Sequence, residues 1–121
     1  MSVDLIDFRA AVETVESTPE PGRRVEEVPL HKTRNAYSDP TGRFHVGHWT
    51  SDRGAWRIRY SEYELCHLLS GSVVIESESG TSWSFGQGDS FMIPKGFVGI
   101  WRVIEPCEKL YAIYEESPSA G

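Results

Sequence analysis

Tyr63-Glu64-Leu65-Cys66-His67-Leu68-Leu69-Ser70-Gly71, and further on Gly88-Asp89-Ser90-Phe91-Met92-Ile93-Pro94-Lys95-Gly96 running into Phe97-Val98-Gly99-Ile100-Trp101, decide how this chain is read. The first block is a mostly apolar run with an acid near its start and a glycine at its end. Gly71 is expected to close a tight hairpin, because glycine adopts positive φ at little steric cost. In the second block Gly88-Asp89 turns the chain into a short strand, and Pro94-Lys95-Gly96 ends that strand with another turn.

Working outward, the same texture extends from Arg23 to the end of the chain. Short runs rich in Val, Ile, Phe, Tyr and Trp alternate with turn residues, the pattern of an all-β domain. Strands are predicted at Arg24 to Val28, Phe44 to Thr50, Ala55 to Tyr60, Tyr63 to Leu69 and Ser72 to Ser77. Four more follow at Thr81 to Phe85, Ser90 to Ile93, Val98 to Ile104 and Lys109 to Glu115. Turns are read at Asp39-Pro40-Thr41-Gly42, Ser51-Asp52-Arg53-Gly54, Ser79-Gly80 and Glu105-Pro106, among others. Nine short strands at hairpin spacing imply a sandwich or small barrel, which avoids long exposed edges. The absence of alternating strands and helices excludes a doubly wound parallel sheet.

A chain of 121 residues holds one domain with a core of its own. Its net charge of −6 excludes phosphate-directed partners, since the twelve basic residues are scattered. Neither nucleic acid nor an anionic membrane is therefore expected as a partner. Acids from Asp4 to Glu20 interrupt the N-terminal region, and no apolar run matches a secretory leader or the ~20 residues of a membrane span. A cytoplasmic location follows, where Cys66 and Cys107 are expected as free thiols. Residues 1–22 read as an N-terminal arm. Val3, Ile6, Ala10 and Val15 give a weak helical spacing, broken by Ser17-Thr18-Pro19-Glu20-Pro21-Gly22. The domain proper is placed at 23–117, with a tail at 118–121.

The spacing from Glu64 to Gly71, together with Gly88-Asp89, Pro94-Lys95-Gly96, Trp101 to Pro106 and Lys109-Leu110-Tyr111, resembles the cupin superfamily. Within it the chain is similar to the ureidoglycine aminohydrolase-like group of single-domain cupins, over roughly residues 25–115. The resemblance implies a cupin (RmlC-like) jelly-roll β-barrel and a homodimer.

Metal cupins hold a divalent ion with two histidines and a glutamate from the first motif and a third histidine from the second. In this chain the first two slots fall on Ile58 and Tyr60, or on Arg57 and Arg59 with a longer connection. The third falls on Gly99, and Glu64 alone survives. One carboxylate does not make a metal site, so no metal and no other cofactor is expected. His67 lies three residues from Glu64, and His45 three from His48, so alternation sends each pair to opposite faces. His31 is placed in a loop. All four histidines read as surface or inter-subunit residues.

If Glu64 faces the interior, period-two alternation brings Cys66 and Leu68 with it, and Gly99, Trp101 and Val103 share a face of their own strand. Tyr60, Glu64, Cys66 and Trp101 are the candidate ligand-binding residues. Two readings of this cluster stay open. In one, Trp101 fills the barrel as core, and Glu64 is hydrogen-bonded to a tyrosine or tryptophan donor. In the other, Trp101 stacks on a small ligand, and Glu64 binds its cationic or donor group.

Three functions follow. The first is binding of a small polar metabolite, with a nitrogen-containing one implied by the resemblance. The second is an enzyme, a hydrolase (aminohydrolase) or isomerase, with Glu64 as catalytic acid-base at a pKa raised by burial or with an atypical metal site. Cys66 is a poor nucleophile beside a carboxylate, which raises its pKa. The third is a structural or interaction module with a filled barrel.

Overall fold

The computed structural model describes residues 3–10 and 12–116; the expected tail at 118–121 lies outside them. Among the described residues eight antiparallel strands form: β1 (Val15–Ser17), β2 (His31–Ser38), β3 (Phe44–Ser51), β4 (Gly54–Arg59), β5 (Tyr63–Ser77), β6 (Ser82–Gly86), β7 (Ser90–Ile93) and β8 (Val98–Tyr114). Their order is β1-β2-β3-β8-β5-β6, with β4 added to β8 and β7 to β5. Among the described residues no helix is long and apolar enough to cross a membrane.

Two long strands organise the fold, where the sequence predicted four short ones. β5 and β8 pair along their whole length, and their two halves carry different neighbours. The Tyr63–Leu69 half of β5 pairs β7, while the Ser72–Ser77 half pairs β6. Likewise β8 pairs β4 through Val98–Val103 and β3 through Cys107–Tyr114. The register breaks between Leu68 and Val73, opposite Glu105 and Glu108. There the double strand passes from one face of a cupin jelly roll to the other.

Gly71 and Glu105-Pro106 therefore do not make the hairpin turns read from the sequence. Gly71, at φ +85°, lies within β5, and an added Cβ would collide with the Pro106 carbonyl and with Cys107. The irregularity also inverts the alternation of β5. Glu64, Cys66 and Leu68 are buried before it, Val73 and Ile75 after it. A bulge has this effect because one extra residue flips every following side chain to the other face. Cys66, Leu68, Val73 and Ile75 join Trp56, Ile58, Ile93, Trp101, Val103 and Cys107 in the core.

Two further corrections concern the N-terminal third. Arg24 to Val28 is not a strand. Arg24 makes one isolated bridge to Trp56, and Val25 and Glu26 both donate to the Ala55 carbonyl, so no ladder develops before Pro29. The strand lies instead at His31–Ser38, paired with β1 and β3. The described part of the arm has no α-helix, only a 3-10 turn at Pro21–Arg23 where it ends; Val15–Ser17 is extended as β1, and Phe8 packs edge-on against His48.

Candidate functional site

The interior site forms where β3, β4, β5 and β8 turn their inward side chains toward one another. Alternation along β8 carries Trp101, Val103, Cys107, Lys109 and Tyr111 to the buried face, so a lysine enters the barrel. Lys109 is only 4% exposed. Its Nζ lies 2.8 Å from Glu64 Oε2, 4.4 Å from the Trp49 ring centre and 4.3 Å from that of Trp101. Trp49 is the cross-strand neighbour of Lys109, so the cation–π contact follows from register. Glu64 reaches Lys109 diagonally, its own partner on β8 being Ile113.

The second oxygen of Glu64 is also engaged. Tyr60 Oη donates to Glu64 Oε1 at 2.6 Å. Burial alone raises the Glu64 carboxyl, but the Lys109 charge and the bonds from Lys109 and Tyr60 outweigh it and hold the group below its usual range. This reverses the raised pKa expected from the sequence. Burial alone lowers the Lys109 ammonium, yet Glu64 outweighs it and keeps the ammonium above its usual range. Burial and then the Glu64 charge push the Tyr60 phenol well up, so it remains a donor. The result is an ion pair in which both partners are ionised, walled by aromatic rings.

Above the pair lies a cavity of about 410 Å³. Tyr60, Glu64 and Trp101 line it; Cys66 is fully buried and does not. Cys66 and Cys107 are free thiols, pushed up to about 12 and about 11, chiefly by burial. Trp101 is 1% exposed and directly opposite Trp56 on β4, their rings near-parallel at 6.2 Å. It is thus core and cavity wall together, and the two readings of the cluster do not exclude each other.

The remaining wall comes from residues the sequence reading passed over. His31 is not in a loop. It opens β2, is buried, and tilts against Trp56 at 4.5 Å and Trp49 at 4.9 Å. Burial, and then the Lys109 charge, bring its imidazole down to about 4. His45 also lines the cavity, held by Ser38 Oγ at 2.7 Å, whereas His48 turns to Phe8 and Arg34. His67 bonds Ser90 Oγ at 2.8 Å and lies outside the cavity. Two buried nitrogens in the wall, His31 Nε2 and Trp101 Nε1, have no hydrogen-bond partner.

The residues present do not fit the divalent ion of metal cupins. Ile58 and Tyr60 face the cavity in the first two slots, and the Tyr60 phenol is committed to Glu64. At Gly99 an added Cβ would run into the Glu76 carbonyl of β5, so no imidazole fits there. Arg57 and Arg59 are exposed. Among the described residues no three His, Cys, Asp or Glu side chains converge as a metal requires. The surviving carboxylate is bound by an ammonium.

A jelly roll folded over two long central strands, with its site inside the barrel at the first-motif glutamate, defines a cupin. The EutQ-like cupin domain matches residues 38–111, and the chain belongs to that family. No curated protein matches the chain. It is similar to a DUF861 family protein of unknown function from Pseudomonas syringae, at TM-score 0.78 and 25% identity over 89% of the chain. The chain spans 46% of that protein's length. It shares its fold with the Clostridium difficile EutQ protein, at TM-score 0.64 and 18% identity over 72% of this chain and 69% of that one. Ectoine synthase from P. lautus shares the fold too, at TM-score 0.62 and 15% identity over 69% of this chain and 63% of that one.

Proposed function

We propose that this cupin binds a small polar metabolite in its aromatic cavity, using the Glu64–Lys109 pair as a fixed polar centre in place of a metal ion. The observation that carries this reading is the pairing of a cavity of about 410 Å³ with two buried, unpartnered nitrogens in its wall. A cavity of that size suits a small molecule, and a few convergent polar groups in an apolar wall are what orient one. Buried polar groups in folded proteins are normally satisfied, so His31 Nε2 and Trp101 Nε1 mark places for a ligand's atoms. A barrel acting only as a filled structural module has no use for either feature.

Catalysis through Glu64 is the weaker reading. A general acid or base works best with a pKa near the operating pH, and Lys109 holds this carboxyl well away from it. The nitrogen-containing ligand implied by the aminohydrolase-like resemblance relies on Glu64 as an acceptor. Both of its oxygens already accept.

A thermal-shift screen of small polar metabolites on protein stripped of metal tests the proposal. A ligand at about a hundred times its Kd stabilises by ~2.7 kcal/mol, a rise in Tm of roughly 10 °C for a domain of this size. Absence of any stabilising compound at millimolar concentration, with unchanged tryptophan fluorescence throughout, would overturn it.

A further inference from the structure

Resting on the binding function proposed above, we infer that the ligand is an acceptor: a small planar molecule that presents a carbonyl-type oxygen, carboxylate or amide, to Lys109 and the Trp101 indole N–H. The polar groups around the cavity decide this when spent and unspent ones are separated. The carboxylate and amide oxygens are each already engaged. Glu64 Oε1 receives Tyr60 at 2.6 Å, and Glu64 Oε2 receives Lys109 at 2.8 Å. Asn35 Oδ1 accepts from Tyr111 Oη at 2.7 Å, while the Asn35 amide donates to Ser38 Oγ at 2.8 Å.

The donors are not spent. An ammonium carries three N–H groups; Lys109 directs one to Glu64, lies beside the Cys66 thiol, a weak acceptor, and is flanked by the faces of Trp49 and Trp101. An indole nitrogen only donates, and Trp101 Nε1 has nothing to donate to. His31 Nε2 is the second unpartnered nitrogen of the same wall, in a ring 4.5 Å from that of Trp56, which in turn stacks on Trp101 at 6.2 Å. A neutral imidazole adapts by choice of tautomer; the other two do not. A ligand with an oxygen acceptor satisfies them, whereas an ammonium or amidinium group brings more donors and a second positive charge to a site whose carboxylate is already paired with an ammonium. Lys109 also stands beside the glutamate, where a metal cupin places its ion, and an ammonium there attracts a ligand oxygen by charge and hydrogen bond together. The surrounding rings of Trp49, Trp56 and Trp101 favour a flat ligand.

Benzoate, benzamide and benzamidine form a matched set: one ring and a planar head that is anionic, neutral or cationic. Titrations followed by calorimetry and tryptophan fluorescence are expected to show saturable binding of benzoate or benzamide, and at least tenfold weaker binding of benzamidine. The first two separate a carboxylate-directed from a neutral carbonyl-directed site. Benzamidine binding as tightly as either, or a metabolite screen whose hits carry amino or guanidino groups without a carbonyl oxygen, overturns the inference and leaves the binding function standing. Silence from all three with an empty screen overturns both.

Trp101→Phe keeps a ring in the wall and removes a donor that bonds nothing in the protein. It is expected to fold with a Tm lowered by several degrees, because Trp101 is also core, and to weaken the acceptor ligand about tenfold. The neutral pair Lys109→Met with Glu64→Gln provides a second test, and should abolish benzoate binding. Undiminished affinity in both variants overturns the inference.

Discussion

Lys109→Met is the most informative single change in this protein. Methionine matches the lysine stem in volume, so the substitution removes the charge and little else. It leaves Glu64, 5% exposed, with one hydrogen bond from Tyr60 and no counter-charge. Breaking one side of a buried pair costs about 3–5 kcal/mol, because the remaining charge stays desolvated. Two cation–π contacts are lost as well, and protonation of Glu64 recovers part of the penalty. A net loss of about 4 kcal/mol is expected, a large share of the ~5–15 kcal/mol that holds a domain of this kind together. In urea, at a slope of about 2 kcal/mol per molar, the midpoint should fall by roughly 2 M. Adding Glu64→Gln should restore most of it. The amide still accepts from Tyr60, and a well-packed neutral substitute for a buried pair is often no less stable. A Lys109→Met protein within about 1 kcal/mol of wild type would refute the reasoning, since it would mean that the pair is solvated.

Three other outcomes follow. Unfolded histidine binds its proton near pH 6.5, whereas His31 in the folded chain does so at about 4. Between those values the unfolded state holds more protons. The His31 contribution is therefore complete above pH 6.5 and declines as pH falls toward 4, by up to about 3 kcal/mol. Equilibrium unfolding of His31→Gln should show a flatter profile over that window, and an identical slope would contradict the buried, neutral ring. Cys66 and Cys107, both buried with thiols well above their usual range, should resist a disulfide reagent at pH 8 until urea unfolds the chain; a fast native phase would contradict this. Gly71→Ala should destabilise by at least about 2 kcal/mol, because alanine meets both a positive φ and the Pro106 carbonyl; a neutral effect would show that the bulge relaxes.

The fold was legible because backbone requirements leave local marks. The glycine, proline and aspartate turns and the alternating apolar runs placed β3, β4, β6 and β7 within a residue or so. The bend was not legible. Gly71 and Pro106 read as turns because the same residue types that end a strand also permit a bulge, and only the partner strand distinguishes them. β2 was passed over because its inward residues, His31, Thr33 and Asn35, are polar. They line the cavity, so the strand lacks the apolar alternation by which strands are recognised.

The site was legible in half. Period-two counting brought Glu64 and Trp101 into the barrel, and Tyr60 lies close enough to bond the acid. The partner of the buried acid was sought among tyrosines and tryptophans. Carrying the Trp101 alternation through Val103 and Cys107 would have delivered Lys109 to the same face, but a turn read at Pro106 stopped the count. Cys66 follows the alternation inward and ends in the core, because facing inward in a barrel does not mean facing its cavity.

The central claim is that the interior cation is Lys109 and not a metal, and elemental analysis of protein purified without chelator or added metal tests it most directly. The account predicts transition metal far below one equivalent in wild type, and no difference in Glu64→Gln. About one equivalent per chain in wild type, lost in Glu64→Gln, would contradict it, since Glu64 would then be ligating an ion where this structure puts the ammonium.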